Sequence, residues 1–147
     1  MKVVEIMKKQ PRCVAENASV KDAAKLMEEI DCGVLPVLKD STSSRPIGVI
    51  TDRDIVLRCV ARGENGESLA VRDITTRDTV TCDENCSVAD AFERMRTEQV
   101  GRLLVTDPRG DLIGIVTMAD IIARVPREIW SQLPGAERPQ PRNKIAA

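Results

Sequence analysis

The sequence predicts an α/β (α+β) protein of two pseudo-symmetric units, each a small sheet with two helices, packed sheet to sheet. Three observations predict it. A long stretch of the chain recurs in order further along. Each copy switches between helical and strand periodicity in the same sequence of elements. A unit of about 60 residues buries too little surface to be secure alone, so two must cover each other's apolar sheet faces.

The repeat is read directly from the residues. Glu16-Asn17-Ala18-Ser19-Val20-Lys21-Asp22-Ala23 returns as Glu84-Asn85-Cys86-Ser87-Val88-Ala89-Asp90-Ala91, 68 positions on. The same offset carries Ile6 to Ile74, Met27 to Met95, Gly33 to Gly101 and Val37 to Val105. After a loop the offset becomes 66, because Lys39 to Pro46 is two residues longer than Asp107 to Leu112. Gly48-Val49-Ile50-Thr51-Asp52-Arg53-Asp54-Ile55 then matches Gly114-Ile115-Val116-Thr117-Met118-Ala119-Asp120-Ile121.

Each element has a local reason. Ser19 and Ser87 are good N-caps with an aspartate three residues on, so helices begin there. Ala23, Leu26, Met27 and Ile30 space an apolar stripe along the first, and Ala91, Phe92 and Met95 along its counterpart. Gly33 to Leu38 and Gly101 to Thr106 read as strands, followed by Ile47 to Ile50 and Leu112 to Val116. Asp107-Pro108-Arg109-Gly110-Asp111 is a turn that makes the second pair a hairpin. Asp52 to Arg62 and Met118 to Arg124 resume helical spacing. These patterns divide the chain into residues 1–66, residues 67–127 and a C-terminal segment 128–147. That segment is expected to be disordered from about Pro134, where Pro, Arg and Gln replace any apolar period.

Composition narrows the function. Across 147 residues, Lys plus Arg number 22 against 23 Asp plus Glu, so no basic field draws the chain onto nucleic acid or an anionic membrane. Phe92 and Trp130 are the only aromatics. Single-stranded nucleic acid therefore finds no stacking platform, and a bound base must lie between aliphatic side chains. No run of apolar residues is long enough for a membrane span, and Met1 to Lys9 lacks the apolar centre of a signal peptide, so a soluble cytoplasmic protein is expected. Five scattered cysteines suit reduced thiols better than a disulfide framework. Without histidine, the close pair Cys82 and Cys86 lacks the usual companions of a zinc site, and no metal or cofactor requirement is expected. Catalysis is disfavoured on the same ground, since histidine, tyrosine and a serine in a nucleophile-elbow setting are all missing.

The informative junction is Gly-x-x-Thr-x-x-Asp, present as Gly48, Thr51, Asp54 and again as Gly114, Thr117, Asp120. Threonine followed by an acidic residue at this spacing is also an ordinary way to start a helix. That explanation leaves unaccounted why the glycine recurs and why a short apolar strand precedes both copies. On the binding reading, a helix N-terminus with a threonine hydroxyl accepts a phosphate, the aspartate accepts hydrogen bonds from ribose hydroxyls, and glycine lets the ligand approach the backbone.

With both copies in view, the chain resembles the cystathionine-β-synthase (CBS) domain family, specifically the tandem pair called a Bateman module. The resemblance runs from Val3 to Val125, on Ser19–Ala23, Gly33–Val37 and Gly48–Asp54 and on Ser87–Ala91, Gly101–Val105 and Gly114–Asp120. It implies two clefts between paired sheets that bind AMP, ADP, ATP or a related adenosyl ligand, S-adenosylmethionine and NAD included, and signal occupancy to an effector protein. On that pattern Thr51 and Thr117 are phosphate-side contacts, Asp54 and Asp120 ribose contacts, and Val14 and Val34 line the first base pocket. Arg53 is a phosphate ligand whose counterpart, Ala119, carries no charge, so the sites should differ, with Arg102 a candidate to compensate. Such modules commonly pair through helices, which implies a homodimer built on apolar groups such as Leu57, Val60, Ile121 and Ile122. In the competing arrangement, Ile129, Trp130 and Leu133 fold back over that surface. The alternative function is a protein-interaction module with vestigial ligand sites.

Overall fold

The computed structural model describes residues 1–133 and Gly135. The expectation of a disordered tail falls almost wholly outside the described residues.

In the first repeat, β2 (Val14–Ala15) runs parallel to β3 (Val34–Leu38), which is antiparallel to β4 (Pro46–Thr51). Helices α1 (Val20–Ile30) and α2 (Asp52–Arg58) complete it. In the second repeat, β5 (Thr81–Asp83) is parallel to β6 (Arg102–Thr106) and β6 antiparallel to β7 (Leu112–Thr117), with α4 (Val88–Thr97) and α5 (Met118–Arg124). Short β1 (Lys8–Lys9), α3 (Val71–Ile74) and α6 (Arg127–Trp130) fill out the chain. The helix starts are the predicted ones: Ser19 Oγ and Ser87 Oγ each accept a backbone N–H at 3.0 Å, from Asp22 and Asp90. One expected helix is interrupted. Asp52 to Arg62 is α2 followed by a 3-10 turn, Val60–Arg62, which Gly63 ends in the left-handed conformation at φ 68°.

Two cores form under the two sheets. Val20, Ala23, Met27, Leu35, Val37 and Ile50 anchor the first, and Val88, Met95, Leu103, Val105, Val116 and Ile121 the second. Between the sheets, Val34 and Val49 meet Leu104 and Ile115. This contact is the expected sheet-to-sheet packing.

The repeats also exchange their lead-in segments. Val3 and Ile6, at the start of the chain, are buried in the core of the second repeat, while Val71 and Ile74 are buried in the core of the first. The backbone follows the same swap. Lys8 and Lys9 pair with Ile115 and Gly114 of β7, and Thr76 exchanges two hydrogen bonds with Val49 of β4, at 2.9 and 3.0 Å. Arg58 donates to the Ile74 carbonyl at 3.1 Å and Arg124 to the Ile6 carbonyl at 2.9 Å, so each second helix clasps the segment it receives.

The C-terminal helix breaks the symmetry. Trp130 meets Phe92 edge-on with centroids 6.0 Å apart, and Val125, Trp130 and Leu133 join the second core. Ile121 is buried there and Ile122 and Ile129 pack against it. In the first repeat Val56, Leu57 and Val60 stay 54%, 47% and 68% exposed.

Candidate functional site

At the ends of β4 and β7 the chain turns directly into α2 and α5, and the turn is built identically twice. Thr51 Oγ1 accepts the Asp54 N–H at 3.1 Å, and Asp54 Oδ2 accepts the Thr51 N–H at 3.0 Å and its hydroxyl at 2.9 Å. Thr117 and Asp120 reproduce the three bonds at 3.1, 3.0 and 2.7 Å. Both pairs are therefore capping boxes, the ordinary helix start weighed above. That role does not exhaust Asp54. Its other oxygen, Oδ1, has Arg58 Nε at 3.8 Å, outside hydrogen-bond range, and keeps acceptor capacity.

The helix N-terminus itself has little to offer an anion in the first repeat. The Asp52 N–H goes to the Gly33 carbonyl at 3.0 Å, the Arg53 N–H to Asp52 Oδ1 at 2.8 Å, and the Asp54 N–H to Thr51. Three orphan donors are thus satisfied by protein, and a phosphate near Thr51 must be read by side chains instead.

Thr51, Arg53 and Asp54 line a cleft of about 380 Å³ between the repeats. Its opposite wall is supplied by the second repeat and its lead-in. Aliphatic surface comes from Val49, Val80, Val100 and Leu104, and polar groups from Thr76, Asp78, Thr79, Gln99 and Arg102. Arg102 Nη1 is shielded from solvent and has no hydrogen-bond partner among the described residues. A buried guanidinium nitrogen left unpaired costs free energy that an anion would recover.

Four of the expected site residues have a further setting in the fold. Gly48 and Gly114 are approached closely by protein. A Cβ on Gly48 would stand 2.5 Å from Thr75 Cγ2 and from the Thr76 carbonyl, and one on Gly114 would collide with the Met7 sulfur. What approaches each glycine is the exchanged lead-in of the other repeat. Val14 and Val34 are not brought to the cleft at Thr51. Val14 is buried under the first sheet and Val34 in the contact between sheets, because both project from strands into packed layers. The aliphatic walls of that cleft are Val49, Val80, Val100 and Leu104, of which Val80 comes from the exchanged lead-in. Thr117, Asp120 and Gly114 lie together at the matching turn of the second repeat, where Ala119 occupies the position of Arg53.

All five cysteines are free thiols. Burial pushes the Cys82 thiol up to about 12, and burial also raises Cys13 and Cys86 above the usual thiol range, so none of these three is primed as a thiolate nucleophile or ligand. Among the described residues no cluster of three or more His, Cys, Asp or Glu side chains is arranged to hold a metal ion, and no helix is long and apolar enough to cross a membrane.

Comparison with known proteins agrees with this geometry. A model of the CBS domain matches residues 3–60 and again 71–127. The chain is 33% identical over 119 residues to the CBS domain-containing protein YhcV of Bacillus subtilis, covering 81% of each. It is 34% identical over 122 residues to hypoxic response protein 1 of Mycobacterium tuberculosis, 83% of each. A match to the uncharacterized protein MK0525 of Methanopyrus kandleri, 38% identical over 90 residues, spans only 46% of that longer protein. Among solved structures, Hypoxic Response Protein I with two coordinated zinc ions superposes with a TM-score of 0.76 at 32% identity, over 86% of this chain and all of that one. The CBS domain pair of protein MJ0100 in complex with 5'-methylthioadenosine and S-adenosyl-L-methionine gives 0.72 at 27%, over 82% and 96%. CBSX2 in complex with AMP gives 0.69 at 26%, over 83% and 93%. With its two matched repeats, its paired sheets and these relatives, the chain belongs to the CBS domain family and is a CBS domain pair.

Proposed function

We propose that this chain is a regulatory sensor that binds an adenine nucleotide in the cleft at Thr51 and signals occupancy to an effector protein. The observation that carries the reading is Arg102, which has an unpartnered guanidinium nitrogen and lines a cleft with Arg53, two carboxylates and aliphatic walls. Each part suits one part of the ligand. The base fits between Val49, Val80, Val100 and Leu104, and ribose hydroxyls reach Asp54 Oδ1 or Asp78. Phosphate meets Arg53 and Arg102 beside Thr51, whose hydroxyl proton is already given to Asp54. The matching turn at Thr117 and Asp120 is the second ligand position. AMP, ADP and ATP are the first ligands to test, with S-adenosylmethionine and NAD next, because all share the ribosyl-adenine end. Support comes from the AMP bound by CBSX2 and the adenosyl ligands bound by MJ0100. Such ligands belong to the cytoplasm, the setting proposed for this chain. Nothing in the reading requires a cofactor or a catalytic residue.

Thermal melting with each ligand tests it. A ligand held only by the folded state raises the melting temperature, by about 2.7 kcal/mol of stabilisation at a hundredfold excess over Kd. No shift with any of the five would overturn the sensor reading in favour of the interaction module.

We further propose a homodimer. The alternative in which the C-terminal segment covers the apolar helices is realised for the second repeat alone, where Trp130 and Leu133 pack over Ile121 and Ile122. Val56, Leu57 and Val60 remain uncovered on the first repeat, and an apolar helix face of this kind is closed most simply by a second copy about a two-fold axis.

A further inference from the structure

Resting on the nucleotide reading, we propose that the two repeats do not offer equivalent sites. Phosphate is read only in the cleft at Thr51, by Arg53 and Arg102 acting from opposite repeats, and each chain takes one phosphorylated nucleotide. Arg53 stands on α2 and Arg102 at the start of β6, yet both line the same cleft. The pseudo-symmetry identifies what the other repeat has in their places. Arg102 and Val34 are equivalent in backbone position, since Arg102 opposes Thr117 across its hairpin as Val34 opposes Thr51. Val34 is spent in the apolar contact between the sheets, with Val49, Leu104 and Ile115. Ala119 replaces Arg53. Both guanidinium groups are therefore absent from the second turn.

The cations that the second turn does have nearby do not substitute. Lys8 and Arg12 occupy the positions equivalent to the cleft-lining Thr76 and Val80, and both are exposed. Arg12 is 3.9 Å from Glu29 in a solvated ion pair. Lys8 is an ammonium on the edge strand and Arg12 already has a carboxylate partner, so neither supplies a shielded guanidinium nitrogen without a partner as Arg102 does. In the first cleft the helix amides are already occupied by Gly33, Asp52 and Thr51, so discrimination between a phosphorylated and an unphosphorylated ligand falls on the two arginines. A phosphate held by both bridges the repeats, which makes occupancy a property of their relative position.

Calorimetric titration of the full-length chain with AMP and with adenosine tests this. One AMP per chain is expected. Arg53→Ala and Arg102→Val each place there the residue that the other repeat carries. Each is expected to weaken AMP roughly ten- to hundredfold while changing adenosine by no more than about twofold. Arg53 is exposed, so its replacement leaves the fold intact even if Arg102→Val destabilises it. Two AMP molecules of similar affinity per chain, or equal losses for AMP and adenosine, would overturn the one-site proposal and leave the sensor reading standing. Failure of the unaltered chain to bind either compound overturns both.

Discussion

Asp54 does two jobs with its two oxygens. Oδ2 closes the capping box with Thr51, and Oδ1, with Arg58 Nε 3.8 Å away, keeps acceptor capacity on a residue that lines the cleft. Asp54→Ala is therefore expected to lower stability by about 0.5–2 kcal/mol through the lost cap and to weaken nucleotide binding as well. Urea unfolding and calorimetry separate the two effects, and unchanged AMP affinity in the Asp54→Ala, Asp120→Ala double variant would remove both aspartates from the site. Glycines offer a contrast at the same scale. A methyl at Gly48 overlaps Thr75 and Thr76, whereas a methyl at Gly101 meets nothing within 4 Å. Gly48→Ala should cost about 1–3 kcal/mol and Gly101→Ala close to none, as measured by melting temperature. Cys82 makes a pH prediction. Its thiol, ordinarily at 9.0, is raised by burial to about 12. The unfolded chain thus loses this proton first, so the stability it contributes is present below pH 9 and declines between about pH 9 and 12. A Cys82→Ala variant whose alkaline unfolding is no shallower than that of the parent would contradict this.

At the scale of elements, the exchanged lead-ins turn two marginal repeats into one body. Ile6 is covalently part of the first repeat and energetically part of the second, where it is 2% exposed. Ile6→Ala should cost about 2–5 kcal/mol. Hydrogen exchange will show where. Amides of β6 and β7 should lose protection before those of β3 and β4, and Ile74→Ala should do the reverse. Equal loss in both sheets from either variant would mean that the repeats do not open separately. The exchange also explains the cleft, since Thr76 to Val80 reach Thr51 only because Thr76 pairs with Val49.

For the whole molecule the unequal halves matter most. Helix α6 covers the second repeat, and the first presents Val56, Leu57 and Val60 to solvent. Light scattering at micromolar concentration is expected to give a dimer mass for the full-length chain. Leu57→Asp with Val60→Asp should give a monomer, because two carboxylates cannot be desolvated in an apolar interface. A monomer mass for the unaltered chain would refute the dimer.

By itself, the sequence determined the repeat, the order of the elements and the local helix starts. The helix starts and strands rest on residues close along the chain: Ser19 with Asp22, Thr51 with Asp54, and the short apolar runs of β3 and β6. It also marked Thr51 and Asp54, because a duplicated spacing is visible without knowing what lies opposite, and Arg53, because its counterpart is Ala119. Tertiary structure alone decided the opposite wall. That Val80 lines the cleft with Thr51 and that Gly48 receives Thr75 and Thr76 follow from the exchange of lead-ins, while the packing of sheets and helices brings Val100 and Arg102 to the cleft and buries Val14 and Val34. The exchange brings together residues far apart along the chain, such as Val3 with Cys86 and Lys8 with Ile115. No local pattern specifies such a pairing. It is selected because each repeat leaves a sheet edge and an apolar face open, and the lead-in of the other repeat closes both at once.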